Sequence, residues 1–200
     1  MTLLAILSAN ATPSSADVAP ETLSRKLRHH TARAHKQTER AAGLDPRSID
    51  RRSLTAFLTD MHGFQQAHEC WLRGCGIDRS FLKARERADL MEADLIRLGG
   101  QRGSAYDLAM PAPSQEEAYG VLYVLEGSRA GGRYIDQWAR EKDWYPIEGL
   151  SSLRSDDGEA MWRETQAALD ALPAAMTPQV LDAAERTFQR LQDWFSRSRP

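Results

Sequence analysis

Cysteine is scarce: Cys70 and Cys75 are the only two in 200 residues. That is too few for a multi-bridge secreted scaffold, and with no second pair they lack zinc-site spacing. We read both as structural, in a reducing cytoplasm. Positive charge is not in surplus either, because 26 Lys and Arg stand against 28 Asp and Glu for a net charge of -2. A polynucleotide partner is not expected from that balance. Long apolar runs are missing too. The best candidates are broken by Glu126 and Arg129, so no membrane span is expected. Residues 1–11 hold a short apolar core with no preceding Lys or Arg, which reads against a secretory signal. Strand signals are absent: no Asn-Gly or Asp-Gly turn lies between β-branched runs.

What is there is enough apolar material for one core, 42% of the chain, which excludes global disorder. Ser8–Pro20 is rich in Ser, Ala and Pro without a period, so residues 1–20 read as a flexible tail before a single domain over 21–200. From Glu21 the period is helical. Leu23, Leu27, Thr31, Ala34 and Thr38 mark one face of a first helix that ends by Gly43. A second runs from Ser53 to about Gly74, carrying Leu54, Phe57, Leu58, Met61, Phe64 and Trp71. A third is expected over Phe81–Gly99, stopped by Gly99-Gly100. Ser114 and Glu117 form a capping box that opens a fourth, ending near Lys142. Two more follow, roughly 158–172 and 178–197. The expected fold class is all-α, a multi-helix bundle without repeats.

Five histidines invite a metal reading, and His35 alone has a carboxylate three or four residues away, Glu39 at i+4. A ligating imidazole usually donates its other N–H to such a partner. Spacing alone leaves this open against an ordinary surface helix pair. His62 and His68 read as core-edge or solvated residues. Glu-x-x-His does not occur, which argues against a carboxylate-bridged di-iron site. The second unusual feature is glycine inside a helix. Gly127, Gly131 and Gly132 together forgo about 2–3 kcal/mol relative to alanine. Either a tightly crossing helix or a flat ligand pressed on the backbone would explain them.

The run Leu27-Arg-His-His-Thr-Ala-Arg-Ala-His35-Lys-Gln-Thr-Glu39, with Tyr123-Val-Leu-Glu-Gly127-Ser128 and Gly131-Gly132, resembles the heme oxygenase family in its bacterial, bacteriophytochrome-associated branch. Met61-His-Gly-Phe64, Met161-Trp162, Ala184, Thr187-Phe188 and Trp194-Phe195 extend the likeness over residues 23–197. The resemblance implies heme, both cofactor and substrate, held between a proximal N-terminal helix and a kinked, glycine-bearing distal helix. It implies His35 as the iron ligand and Glu39 as a weak acceptor from it, keeping a neutral imidazole. Gly127 and Gly131 would let the distal backbone approach O2, Gly132 would adjoin the heme, and Ser128 would hold water where mammalian members carry an aspartate.

For the propionates the resemblance suggests Arg28, seven residues before His35 and so on the same stripe, and Tyr123. Arg186 or Arg190 is a further candidate, although a solvated face explains both, and Phe188 reads as core. Where relatives usually carry a small residue and Leu, this chain has Arg129-Ala130, and an Arg there could reach a propionate of a rotated heme. The implied activity is O2-dependent cleavage of heme to biliverdin, CO and ferrous iron. The chain shows no flavin or nicotinamide fingerprint, so electrons come from an external reductase or ferredoxin. The product would serve iron recovery or, preferably, supply bilin to a bacteriophytochrome. The rival readings are a heme carrier or sensor on the same fold, and a relative that has lost heme.

Overall fold

The computed structural model describes residues 21–45, 47–103, 105–108, 110–154 and 157–197. The tail expected over residues 1–20 lies outside them. Seven α-helices are seen among the described residues, with no strand: α1 Leu23–Ala42, α2 Arg51–Leu72, α3 Arg79–Lys83, α4 Ala88–Arg97, α5 Gln115–Ala139, α6 Gly158–Asp170 and α7 Thr177–Arg197. None is long and apolar enough to cross a membrane.

The ends of α1 and α5 follow from local chemistry. Gly43 adopts φ 58° after α1 and returns its N–H to the Arg40 carbonyl at 3.1 Å, a left-handed stop that glycine makes without strain. Ser114 Oγ accepts from Glu117 N while the Glu117 carboxylate accepts from Ser114 N, the capping box that opens α5. The other end of α1 is set by a distant group: Asp170, from the last turn of α6, accepts from both Ser24 N and Ser24 Oγ, at 2.7 and 2.9 Å.

The third helix differs from expectation. The segment Phe81–Gly99 is not continuous but breaks into α3 and α4 at Ala84–Arg87. The break is made by α2. The carboxylate of buried Glu69 accepts from the backbone N–H of Arg87 at 2.7 Å and of Ala88 at 3.2 Å, capping α4 from another helix. Gly99, at φ 72°, closes α4 where the sequence placed the stop.

Helix α7 is the spine, packing along both α1 and α5. It meets α5 at Gly120, where an added Cβ would sit 2.6 Å from Ala183 Cβ and 2.8 Å from Ala184 N and the Val180 carbonyl. The two backbones are in contact there. Leu27, Leu54, Leu58, Phe64, Leu122 and Phe195 are among the fully buried side chains, each contributing about 1.5–3 kcal/mol by leaving water. His62 and His68 belong with them. Both are completely buried, not core-edge or solvated. His68 Nδ1 donates to the Phe64 carbonyl at 2.8 Å, its ring lies against Phe64 and Tyr106, and burial pushes its pKa down to about 4.

Candidate functional site

A cavity of about 740 Å³ is lined by α1, α2, α5 and α7, with Arg87 and Met91 from the start of α4. His35 and Glu39 face it from α1, and Gly127, Ser128, Gly131 and Gly132 from α5. Phe57, Met61, Met91, Leu191 and Phe195 supply apolar surface, and Lys36, Arg40 and Arg47 stand at its exposed edge. The volume and the mixture of a mainly apolar wall with a few polar groups suit one flat organic ligand.

His35 is about a quarter exposed, held edge-on against Phe188 with ring centres 5.4 Å apart. Burial pulls its pKa below the usual imidazole value, so at neutral pH the ring is neutral and able to bind a metal. Its Nδ1 lies 3.8 Å from Glu39 Oε1, beyond hydrogen-bond length. That oxygen is buried with no partner among the described residues, and burial raises the Glu39 carboxyl while Lys36 opposes. The site therefore holds a neutral imidazole beside an acceptor with a free lone pair. No three His, Cys, Asp or Glu side chains among the described residues come together as a metal cage. A lone imidazole suits iron whose other ligands come from a macrocycle.

The glycines separate. A Cβ at Gly127 would meet nothing within 4 Å, so no neighbouring helix requires its absence, while one at Gly132 would be 3.4 Å from Leu153. Of the two explanations for glycine in α5, the tight helix crossing applies at Gly120, and Gly127 opens on the cavity. Helix α5 itself runs unbroken from Gln115 to Ala139.

Ser128 is not free. Its Oγ donates to the Leu125 carbonyl at 2.7 Å and accepts from Arg87 Nη2. Arg87 is buried, and burial together with the neighbouring Arg129 charge pushes its pKa down to about 10, still cationic at neutral pH. Its Nη2 also donates to the Leu125 carbonyl at 3.2 Å, and its Nε has no partner among the described residues. This is the cavity residue that sequence reasoning missed. Its placement depends on the Glu69 cap that breaks the helix, and no local pattern announces it.

Other expected residues lie elsewhere. Arg129 does not reach the cavity: it is buried beneath α5, bonded to Glu126 Oε1 at 3.1 Å and to the Arg85 carbonyl at 2.7 Å. Tyr123 is buried against Trp162, ring centres 5.6 Å apart, and does not line the cavity. Burial raises its phenol, with Thr31 and the Arg28 charge acting the other way. Arg28 is exposed and outside the lining, and Arg186 and Arg190, both partly buried, lie outside it too. Arg186 pairs with Asp182 and Glu117. Phe188 is both core and cavity wall.

No family model matches the chain. A heme oxygenase from Xanthomonas campestris pv. campestris (strain 8004) is 33% identical over 111 residues, 54% of this chain and 64% of that protein. The match thus spans less than two thirds of that relative's length. The heme oxygenase from Neisseria meningitidis, solved with NO and CO bound, superimposes with a TM-score of 0.70 at 20% identity, covering 88% of this chain and 92% of that one. The fold is that of a heme oxygenase. Between the two comparisons, the chain is similar to heme oxygenases in sequence and shares their all-helical architecture.

Proposed function

We propose that this chain is a heme oxygenase, binding heme through His35 and, with O2 and electrons from an external donor, opening it to biliverdin with release of CO and ferrous iron. One observation carries the reading: the same cavity is lined by a neutral, largely buried imidazole on α1 and by Gly127 on α5, which presents no side chain to it. When bound, heme supplies both the iron that engages O2 and the carbon that is oxidised.

The chain's own residues then have distinct tasks. Glu39, with its unpartnered Oε1 3.8 Å from His35 Nδ1, is the nearby acceptor that keeps the ligand an imidazole once the two close to hydrogen-bond distance. Gly127 and Gly131 leave room on the distal side, with Gly132 beside them. Ser128, its position set by Arg87, holds water there for proton delivery, with the buried guanidinium as a fixed positive field. Carboxylates at the edge of the ligand call for cations. The resemblance assigns that role to Arg28 and Tyr123, which lie outside the cavity lining, whereas Lys36, Arg40 and Arg47 are cations at the cavity edge. We place the protein in the cytoplasm, with bilin supply to a bacteriophytochrome as the preferred purpose over iron recovery.

The test is a hemin titration followed by ascorbate or a ferredoxin system in air. Wild type should show a Soret band that gives way to broad red bilin absorption, and His35→Ala should lose the Soret band. Heme that survives reductant and oxygen would instead identify a carrier or sensor. Failure to take up hemin would mean that the fold alone is retained.

A further inference from the structure

Helix α5 is weakest where it meets the cavity. Gly127, Gly131 and Gly132 fall close together there and lower its helical propensity, yet it runs unbroken from Gln115 to Ala139. The capping box at Ser114 and Glu117 lies more than three turns away and cannot support this segment. The support comes from residues 85–87, in the break between α3 and α4, which grip neighbouring positions between the glycines. Arg87 Nη2 donates to Ser128 Oγ and, at 3.2 Å, to the Leu125 carbonyl. Arg129 Nη2 donates in the other direction, to the Arg85 carbonyl at 2.7 Å, while its Nε donates to Glu126 Oε1 at 3.1 Å.

Both ends of the Arg129 contact are fixed. Arg129 and Glu126 are buried, on the side of α5 turned away from the arc of Gly127, Ser128, Gly131 and Gly132 that lines the cavity. The Arg85 carbonyl lies where the chain leaves α3, so no continuous helical ladder claims it. Arg85 is itself anchored: its buried guanidinium donates to Thr165 Oγ1 at 3.0 Å, to the Phe81 carbonyl at 2.9 Å and to the Glu164 carboxylate at 3.0 Å. Arg129 thus ties the weak segment of α5 to a junction held on α6. It does not line the cavity, so any effect on a ligand passes through its neighbours. We propose that Arg129 is a positioning residue, a latch that keeps the glycine-bearing segment of α5 helical and holds Gly127 and Ser128 against the bound ligand. The part that concerns the ligand rests on the oxygenase reading, and the latch itself does not. By restraining local unwinding of α5, the latch also slows ligand release.

Hydrogen exchange of the heme-free full chain, read by mass spectrometry over residues 115–122 and 126–134, tests the latch. Arg129→Met should exchange on the order of tenfold faster than wild type over 126–134, as expected for the loss of a charge-assisted hydrogen bond. Over 115–122, where α7 holds α5 at Gly120, it should exchange at the wild-type rate. Arg133→Met removes an exposed cation from the same segment and should behave as wild type. Arg129→Met leaves Glu126 buried without its cation, so if circular dichroism shows it unfolded, Arg129→Lys replaces it. Lysine keeps the charge beside Glu126 but not the fork that reaches both acceptors, and the same local acceleration is expected. Equal acceleration over both segments would overturn the proposal, because Arg129 would then act on the whole chain, and so would no acceleration over either. A second arm loads hemin and follows its transfer to excess apomyoglobin. The Arg129 variant should release hemin about ten times faster than wild type, and release at the wild-type rate would overturn the positioning role. Should the chain take up no hemin, the oxygenase reading falls and hydrogen exchange alone decides the latch.

Discussion

Gly120 and Gly127 lie two turns apart on one stripe of α5, and they exist for opposite reasons. At Gly120 the backbone of α7 occupies the place a Cβ would take, and at Gly127 nothing does. One glycine is required by packing within the molecule, the other is explained only by something that enters it. The contrast extends around them. The packed side of the bundle is buried and includes the neutral imidazole of His68, whereas the open side gathers His35, Ser128 and the Arg87 guanidinium around a cavity. Perturbations of the packed side should appear in stability, and perturbations of the open side in ligand chemistry.

The largest expected effect is acid lability of the packed side. His68 titrates near 4 when folded and at the ordinary imidazole value of 6.5 when unfolded. The unfolded chain takes up the proton first, so stability is intact above about pH 6.5 and falls as pH drops toward 4, by about 3 kcal/mol in all. Urea melts at pH 7 and pH 4.5 measure this. His68→Asn, whose amide can donate to the Phe64 carbonyl in place of Nδ1, should flatten the dependence. An unchanged slope would remove His68 as its source.

Next is Gly120→Ala, expected to cost about 1–3 kcal/mol because the α5–α7 backbone contact must open. Thermal melts of the heme-free protein check it, and a melt like wild type would contradict the close approach. Arg87→Met should leave hemin affinity nearly unchanged and slow turnover on the order of tenfold, or about 1.4 kcal/mol in the barrier, because Ser128 loses its donor. The smallest effect has the opposite sign. Gly127→Ala should stabilise the heme-free chain by about 0.5–1 kcal/mol, as alanine does inside a helix, while lowering biliverdin formation. If Ala at 127 destabilised the heme-free chain, the open space seen there would be wrong and the contrast with Gly120 would collapse.

The ends of the principal helices could be read from the sequence because they depend on neighbours: Gly43 after α1, Gly99 after α4, and the pairing of Ser114 with Glu117. The cavity's two walls were also legible, as a histidine with a carboxylate one turn on and as glycines where a helix should avoid them. Resemblance, not spacing, decided between a ligand and a surface pair at His35. Three features were hidden. The division of Phe81–Gly99 comes from a carboxylate on α2, and Arg87 enters the cavity wall because of that division. His29 and His30 have no acidic neighbour at helical spacing, yet they lie 2.9 and 2.8 Å from Glu21 and Glu185. The inward turn of Arg129 was equally unreadable, since it follows from an Arg85 carbonyl more than 40 residues away in the chain.

By itself, then, the sequence determined that the chain is helical, where α1 and α5 end, and which side of each helix is apolar, because capping, glycine stops and a 3.6-residue period act over four or five residues. Tertiary structure alone decided which glycine is filled by a neighbour and which faces a void, and which arginines are buried. Each of these depends on what another helix brings within a few ångströms.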